Sequence, residues 1–214
     1  MKPNLADLRK SYDKGSLEIN AVIDHPINLF ETWFKEAEQS DFIEEANAMT
    51  LSTLGKSGFP KSRVVLLKGF SEEGFVFFTN YESEKGRSML SNPKVGITFF
   101  WPSLERQIII KGNAEKISSA RSDDYFNSRP RGSQLGALAS PQSSVIPNRQ
   151  FLQDRLAALM DEYQNKPIPR PDHWGGIVVK PVQIEFWQGR PNRLHDRISC
   201  QLINKVWKSE RLAP

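Results

Sequence analysis

Hydrophobic positions recur along this chain with two spacings. Near the N-terminus, Leu29, Phe30, Trp33, Phe34 and Ala37 fall three and four residues apart, the interval of one helix face, and the stripe reads as core. Asp24 is placed to cap this helix, with Pro26 in its first turn. From Ala48 the period shortens to that of strands. Residues 48–54 and 63–69, joined by a turn over 55–58, predict a hairpin. A turn at 71–74 leads into a strand over 75–80, and a short helix over 83–90 stops at Asn92-Pro93. Strands over 95–101 and 107–117 follow, and Phe75, Phe77, Phe99 and Trp101 alternate as core residues do.

The second half mixes the two spacings. Residues 118–128 are helix-like, with Ser118 or Ser119 as cap, and the Ser-, Gly-, Pro- and Arg-rich segment 129–147 holds one short helical patch. Over 148–164 an amphipathic helix is predicted, with Leu152, Leu156, Leu159, Met160 and Tyr163 on one face. The Pro167-Ile168-Pro169-Arg170-Pro171 run breaks it. Beyond it, 175–188 and 194–203 pair as strands around a turn at 189–192. Closely spaced strands with flanking helices predict a mainly β, α+β fold built on an antiparallel barrel or sandwich. Residues 1–20 are polar and aperiodic and read as a flexible arm on a single domain over 21–214.

Composition narrows the class. With 13 Phe and 5 Trp in 214 residues, the chain has enough apolar bulk for a real core. One cysteine, Cys200, forms no intrachain disulfide and no thiolate metal site, which favours a reducing compartment. No stretch approaches 18 apolar residues and no signal-like segment opens the chain, so the expectation is a cytoplasmic protein off the membrane. The net charge of +4 is modest; it suits mixed surface charge or a small anionic ligand. No run of five Lys or Arg appears, and the aromatics alternate as core, so no nucleic-acid partner is expected. His25, His173 and His195 lie far apart without metal-ligand spacing, so no metal is expected. No nucleophile elbow, Walker loop or dinucleotide fingerprint occurs.

Three basic stretches remain. In 63–68, Arg63 and Lys68 bracket an apolar run and, five positions apart on a strand, point to opposite faces, as two anions on two sides would require; solvated strand ends are the plain alternative. In 125–134, Tyr125, Arg129 and Ser133 offer donors that can converge on a phosphate, against an ordinary basic loop. In 184–197, alternation puts Arg193, His195 and Arg197 on one face of one strand, with Phe186 and Trp187 opposite.

The run IEFWQGRPNRLHDR resembles the signature of the pyridoxamine 5′-phosphate oxidase family. RVVLLKGF, FFTNYES, LERQ, YFNSRPRGSQLGA, the QSS at 142–144, the WGG at 174–176 and the terminal RLAP fall in the family's order, so the resemblance spans nearly the whole chain. It implies an FMN-binding split β-barrel and a homodimer with flavin sites formed between subunits, the C-terminal region from about 170 to 214 serving dimerisation and substrate. It implies an oxidase that converts pyridoxamine 5′-phosphate and pyridoxine 5′-phosphate to pyridoxal 5′-phosphate. It further implies that hydride passes from the 4′ carbon to flavin N5 and that O2 is reduced to H2O2. Carried over by motif, Arg63, Val64, Val65, Leu66, Leu67, Lys68, Phe78, Thr79, Lys85, Gln107, Gln142, Ser143, Trp187 and Arg197 are expected at FMN. Lys68, Tyr125, Arg129 and Ser133 are expected at the substrate phosphate. Arg193, Leu194 and His195 are expected around the pyridine ring, with Arg193 and His195 catalytic, and Arg9, Lys10, Ser11 and Tyr12 as a lid. Glu84 stands where the family usually has arginine, with Arg87 placed to pair with it, and Phe78 lacks the hydroxyl usual at its position. The alternatives are a split-barrel flavin oxidoreductase of another substrate and a non-catalytic carrier of FMN or pyridoxal phosphate.

Overall fold

A computed structural model of the chain describes residues 4, 8, 10–22 and 25–214. The elements follow as α1 (Pro26–Glu38), β1 (Ala48–Leu54), β2 (Pro60–Leu66), β3 (Gly69–Ser71), β4 (Gly74–Asn80), α2 (Glu84–Ser91), β5 (Lys94–Trp101), β6 (Arg106–Lys116), α3 (Ser119–Ser128), α4 (Arg131–Ala139), α5 (Arg149–Glu162), β7 (Trp174–Gln188), β8 (Asp196–Ile203) and β9 (Val206–Leu212). Strand order in the sheet is β2-β1-β5-β6-β7-β4-β3, with β8 paired to β7 and β9 to β8. The chain divides into two compact units, one of Met1–Thr50, Gly96–Lys111 and Pro181–Pro214, the other of Leu51–Val95 and Gly112–Lys180.

In the first unit the predicted α1 stripe is the core: Phe30 and Ala37 are fully buried, and Leu29, Trp33 and Phe34 nearly so. Phe30 meets Phe99 edge-on at 5.3 Å and Trp33 meets Phe186 at 5.4 Å, contacts that add to the area term for aromatic pairs. Asp24 lies outside the described residues; His25 is the cap, its Nδ1 accepting from the Ile27 N–H at 3.1 Å. Residues just ahead of α1 are tied in place. The Leu17 N–H donates to Asp196 Oδ2, the Lys14 ammonium donates to the Ser103 carbonyl, and the Leu17 side chain is buried.

The C-terminal strands differ from expectation. Asn192 and Arg193 both take left-handed backbone angles, φ 57° and 62°, inside a short 3-10 turn at Pro191–Arg193. Two consecutive residues with positive φ cannot continue a strand, so β8 begins at Asp196 rather than 194. Arg193, His195 and Arg197 therefore do not share one strand face; only Arg197 is in β8. The sequence reading also omits β9, which pairs with β8 through a two-residue turn at Asn204 and Lys205, both of positive φ.

In the second unit β4 and β7 pair antiparallel with Phe78 opposite Gly176, Thr79 opposite Gly175 and Asn80 opposite Trp174. The pair of glycines after Trp174 is a packing requirement. A Cβ at Gly175 would sit 2.2 Å from the Tyr81 hydroxyl, and one at Gly176 2.3 Å from Ile117 Cδ1. β2 ends at Leu66, short of the expected 69, because the chain breaks strand at Leu67 and Lys68, where the Lys68 N–H donates to the Val76 carbonyl at 2.8 Å. Helices α2, α3 and α5 open on Ser83, Ser118 and Asn148, whose side-chain oxygens accept the N–H three residues on. The α5 face is only half-buried: Leu156, Leu159 and Tyr163 lean on the cluster of Phe126, Leu135, Ile168 and Trp174, while Met160 is exposed.

Candidate functional site

Two cavities gather most of the residues singled out from the sequence. The first, of about 510 Å³, lies within the second unit and is lined by Val64, Val65, Leu66, Lys68, Phe78, Thr79, Asn80, Lys85, Tyr125, Arg129, Pro130, Ser133, Gln142 and Trp174. That volume falls in the ordinary range for small-ligand pockets. Its apolar wall is β2, which ends one side of the sheet order and so offers unpaired backbone groups along its free edge. Its polar wall is built at the corner between α3 and α4. Tyr125 and Arg129 are four residues apart, hence on one side of the α3 end, and Pro130 holds Arg129 in extended backbone before α4 starts. Ser133 sits in the first turn of α4, where its N–H donates to the Pro130 carbonyl.

The electrostatics of this cavity call for an anion. Burial pulls the Arg129 guanidinium below its ordinary pKa, with Tyr125 partly opposing, and the Arg129 Nη1 is buried with no hydrogen-bond partner. Lys85 is likewise lowered, by burial first and by the charge of Arg63 second. Its ammonium rests on Gln142 Oε1 at 2.8 Å and more loosely on Ser83 Oγ. Thr79 Oγ1 is a second buried polar atom with no partner. Buried donors without acceptors are costly unless a ligand supplies them. The set matches a flat heteroaromatic ligand bearing phosphate: ring faces and a strand edge on one side, cations and hydroxyls on the other.

The second cavity, of about 600 Å³, lies within the first unit and is lined by Leu8, Lys10, Ser11, Tyr12, Arg190, Asn192, Arg193 and His195. Tyr12 stands edge-on to Trp187 at 5.8 Å, and the rings of Trp187 and His195 are 4.7 Å apart. Gly189 makes room for this packing, since a Cβ there would lie 2.8 Å from the Tyr12 ring. His195 Nδ1 accepts the Arg190 N–H at 3.1 Å, so the neutral ring carries its proton on Nε2. The Arg190 guanidinium donates to the Gly15 carbonyl at 2.8 Å. Arg193 is exposed, on a backbone turn that only a surrounding structure sustains.

The remaining expected residues lie elsewhere. Leu67 is buried in the core, although its neighbours Leu66 and Lys68 line the first cavity. Arg63 does not line it either; its guanidinium donates to the Leu51 carbonyl and to Thr53 Oγ1. Gln107 and the exposed Ser143, whose φ is 71°, line neither cavity. Leu194 is exposed and also outside both linings. Arg197 is held by Glu185 at 2.8 and 2.9 Å and by the Ala213 carbonyl. Arg9 lies outside the described residues. Glu84 pairs with Lys61 at 2.5 Å, not with Arg87, whose guanidinium bonds the Glu82 carbonyl. Sequence reading gave no role to Asn80, Pro130, Trp174, Leu8, Arg190 or Asn192. Asn80, Pro130, Trp174, Arg190 and Asn192 fall inside the motifs that carry the family resemblance, which is their only signal, and Leu8 has none.

Among the described residues no group of three or more His, Cys, Asp or Glu could hold a metal, and no helix is long and apolar enough to cross a membrane. Residues 36–160 match the family model described as pyridoxamine 5′-phosphate oxidase, and residues 174–214 match the pyridoxine 5′-phosphate oxidase C-terminal dimerisation region. Among similar proteins, pyridoxine/pyridoxamine 5′-phosphate oxidase of Christiangramia forsetii is 56% identical over the full length of both chains. The Synechocystis protein of the same name is 53% identical, covering 99% of this chain and 98% of its own. Among solved structures, PhzG from Burkholderia lata in complex with tetrahydrophenazine-1-carboxylic acid superposes with a TM-score of 0.88 at 27% identity, over 96% of this chain and all of that one. A pyridoxamine 5′-phosphate oxidase-related, FMN binding protein from Nostoc punctiforme shares the fold, with TM-score 0.72 at 18% identity over 90% of this chain and all of its own. The fold is the split barrel expected from the sequence, and the chain belongs to the pyridoxamine 5′-phosphate oxidase family of oxidoreductases.

Proposed function

We propose that this enzyme oxidises pyridoxine 5′-phosphate and pyridoxamine 5′-phosphate to pyridoxal 5′-phosphate, with FMN as bound cofactor and O2 as the final acceptor, reduced to H2O2; the pyridoxamine form also consumes water and releases its nitrogen as ammonia. The observation that carries this reading is the first cavity, where Lys68, Lys85, Tyr125, Arg129 and Ser133 surround one space walled by β2. Full-length relatives at more than 50% identity support it. FMN, when bound, supplies the two-electron acceptor that no side chain offers.

The side chains do the binding and positioning. Lys85 and Thr79 suit the flavin phosphate and ring edge, and Val64, Val65 and Leu66 lie along the ring from β2. Lys68, Tyr125, Arg129 and Ser133 take the substrate phosphate, whose oxygens satisfy the buried Arg129 Nη1. His195, with its proton on Nε2, donates to an oxygen of the substrate ring, and Arg193 adds a cation beside it. Trp187 and Arg197 complete the flavin site, Tyr12 with Lys10 and Ser11 covers the substrate, and each site forms between the subunits of a homodimer. Catalysis then rests on holding the donor carbon against the flavin, which is a positioning task.

The test is spectroscopic. Purified protein should carry equimolar FMN, bleach under anaerobic pyridoxine 5′-phosphate and regain its colour in air. A yellow protein that does not bleach is a carrier and sinks the oxidase reading; a protein that takes up no flavin on titration sinks the cofactor as well.

A further inference from the structure

The guanidinium whose buried Nη1 lacks a hydrogen-bond partner, that of Arg129, lies over aromatic rings. The Arg129 guanidinium carbon lies 4.6 Å from the centroid of Trp174 and 5.8 Å from that of Phe126. Trp174 is nearly buried and belongs to a set of three near-parallel rings. It is inclined 3° to Tyr125 at 6.2 Å and 16° to Phe78 at 5.5 Å, while Phe78 and Tyr125 stack at 3.7 Å. The set is anchored from behind. The Trp174 N–H donates to the Pro171 carbonyl at 2.9 Å, and its own carbonyl accepts from Arg170 at 2.6 Å. Arg170 is bound in turn to Asp123 of α3 at 2.5 Å. One residue thus touches both groups that the phosphate reading needs most, a cation with spare N–H capacity and a phenol.

We propose that Trp174 is a positioning residue for phosphate-ester recognition: its ring face holds the Arg129 guanidinium, and its stack with Tyr125 and Phe78 sets the plane of the phenol. A ring face attracts a guanidinium without occupying any of its N–H groups, so Arg129 is held in place while its donors stay free for the ligand. A carboxylate in that position would hold Arg129 more tightly but would compete with the phosphate. Phe78, which lacks a hydroxyl, adds a wholly apolar face to the stack, consistent with a role in packing at that position. This inference rests on the reading of the first cavity as the site of a phosphorylated substrate.

The test uses the flavin-loaded enzyme, with pyridoxine 5′-phosphate as substrate and inorganic phosphate as competitor. Trp174→Leu should raise KM and the inhibition constant of phosphate together by about 10-fold, with kcat and the FMN dissociation constant held within about 3-fold. Trp174→Phe, which keeps a weaker ring face, should fall between parent and Leu, and decides the question if the Leu variant does not fold. Arg129→Ala should cost less in the Trp174→Leu or Trp174→Phe background than in the parent, because the guanidinium it removes is already misplaced. Equal costs of Arg129→Ala in both backgrounds, or a loss confined to kcat, overturn the proposal. If Arg129→Ala alone leaves both KM and phosphate inhibition unchanged, the phosphate reading of the cavity falls first, and the Trp174 role falls with it.

Discussion

Glu84 illustrates what a single residue's neighbours decide. From the sequence it is a carboxylate beside Lys85 where the family resemblance leads one to expect arginine, a repulsive placement if an anion binds nearby. The structure gives it a partner from another element: Lys61 of β2, at 2.5 Å. That hydrogen bond is the chief reason its carboxyl titrates below the usual range, with the charges of Lys61, Arg63 and Arg87 adding to it. Both side chains are exposed, so the pair matters through local charge balance rather than stability. Lys61→Ala should leave Glu84 unpaired near the cationic wall and weaken FMN roughly 2- to 5-fold at low ionic strength. Adding Glu84→Ala should restore the parent affinity, and about 1 M salt should erase the difference. A Lys61→Ala variant that binds FMN like the parent at low salt would show that the pair lies beyond electrostatic reach of the ligand.

At the scale of elements, α2 shows how close packing delivers a charge. Ser83 caps the helix by accepting the Gly86 N–H, and Lys85 leaves from its first turn into the cavity. Gly86 is packed so closely that a Cβ would stand 2.2 Å from the Tyr81 carbonyl oxygen and 2.6 Å from that of Asn80. Backbone offers no room to yield there. Gly86→Ala should therefore displace the start of α2, lowering stability by about 1–3 kcal/mol and weakening FMN several-fold as Lys85 moves. Denaturant midpoints and a flavin titration check the two halves; an alanine variant matching the parent in both would mean α2 can shift without cost. The hairpin at 189–196 teaches the converse. Alternation of Arg193, His195 and Arg197 is real in the sequence, yet Pro191 and two residues of positive φ turn the chain out of strand before β8. Period-2 reasoning holds only where the backbone is extended throughout.

For the whole molecule, the residues expected at one flavin and its substrate are divided between the two compact units. One group lines the first cavity, and the other, with Tyr12, Trp187, Arg193 and His195, lies in the first unit. Residues 174–214 match a dimerisation region, which supports a homodimer. If flavin contacts come from both subunits, dilution should release FMN and dissociate the dimer over the same concentration range. Sedimentation with detection at flavin wavelengths reads both at once, and a flavin-loaded monomer would contradict the shared site.

Much of this was legible in the sequence because its causes are local. The α1 stripe, the Ser118 cap and the core positions of Phe75 and Phe77 depend on neighbours a few residues away, and the structure places them as the spacing predicts, whereas the cap of α1 is His25. The motif order carried the family and its split barrel. Left to the tertiary structure were contacts between residues far apart in the chain. Pairing of β4 with β7 sets Phe78 opposite Gly176 and so brings Trp174 beside Tyr125 and Arg129. Lys61 finds Glu84 across 23 residues, Arg63 turns to Thr53 instead of the cavity, and Leu67 is buried in the core between two cavity residues. None of these follows from periodicity, because a strand pattern states which face a residue takes but not which strand will lie against it.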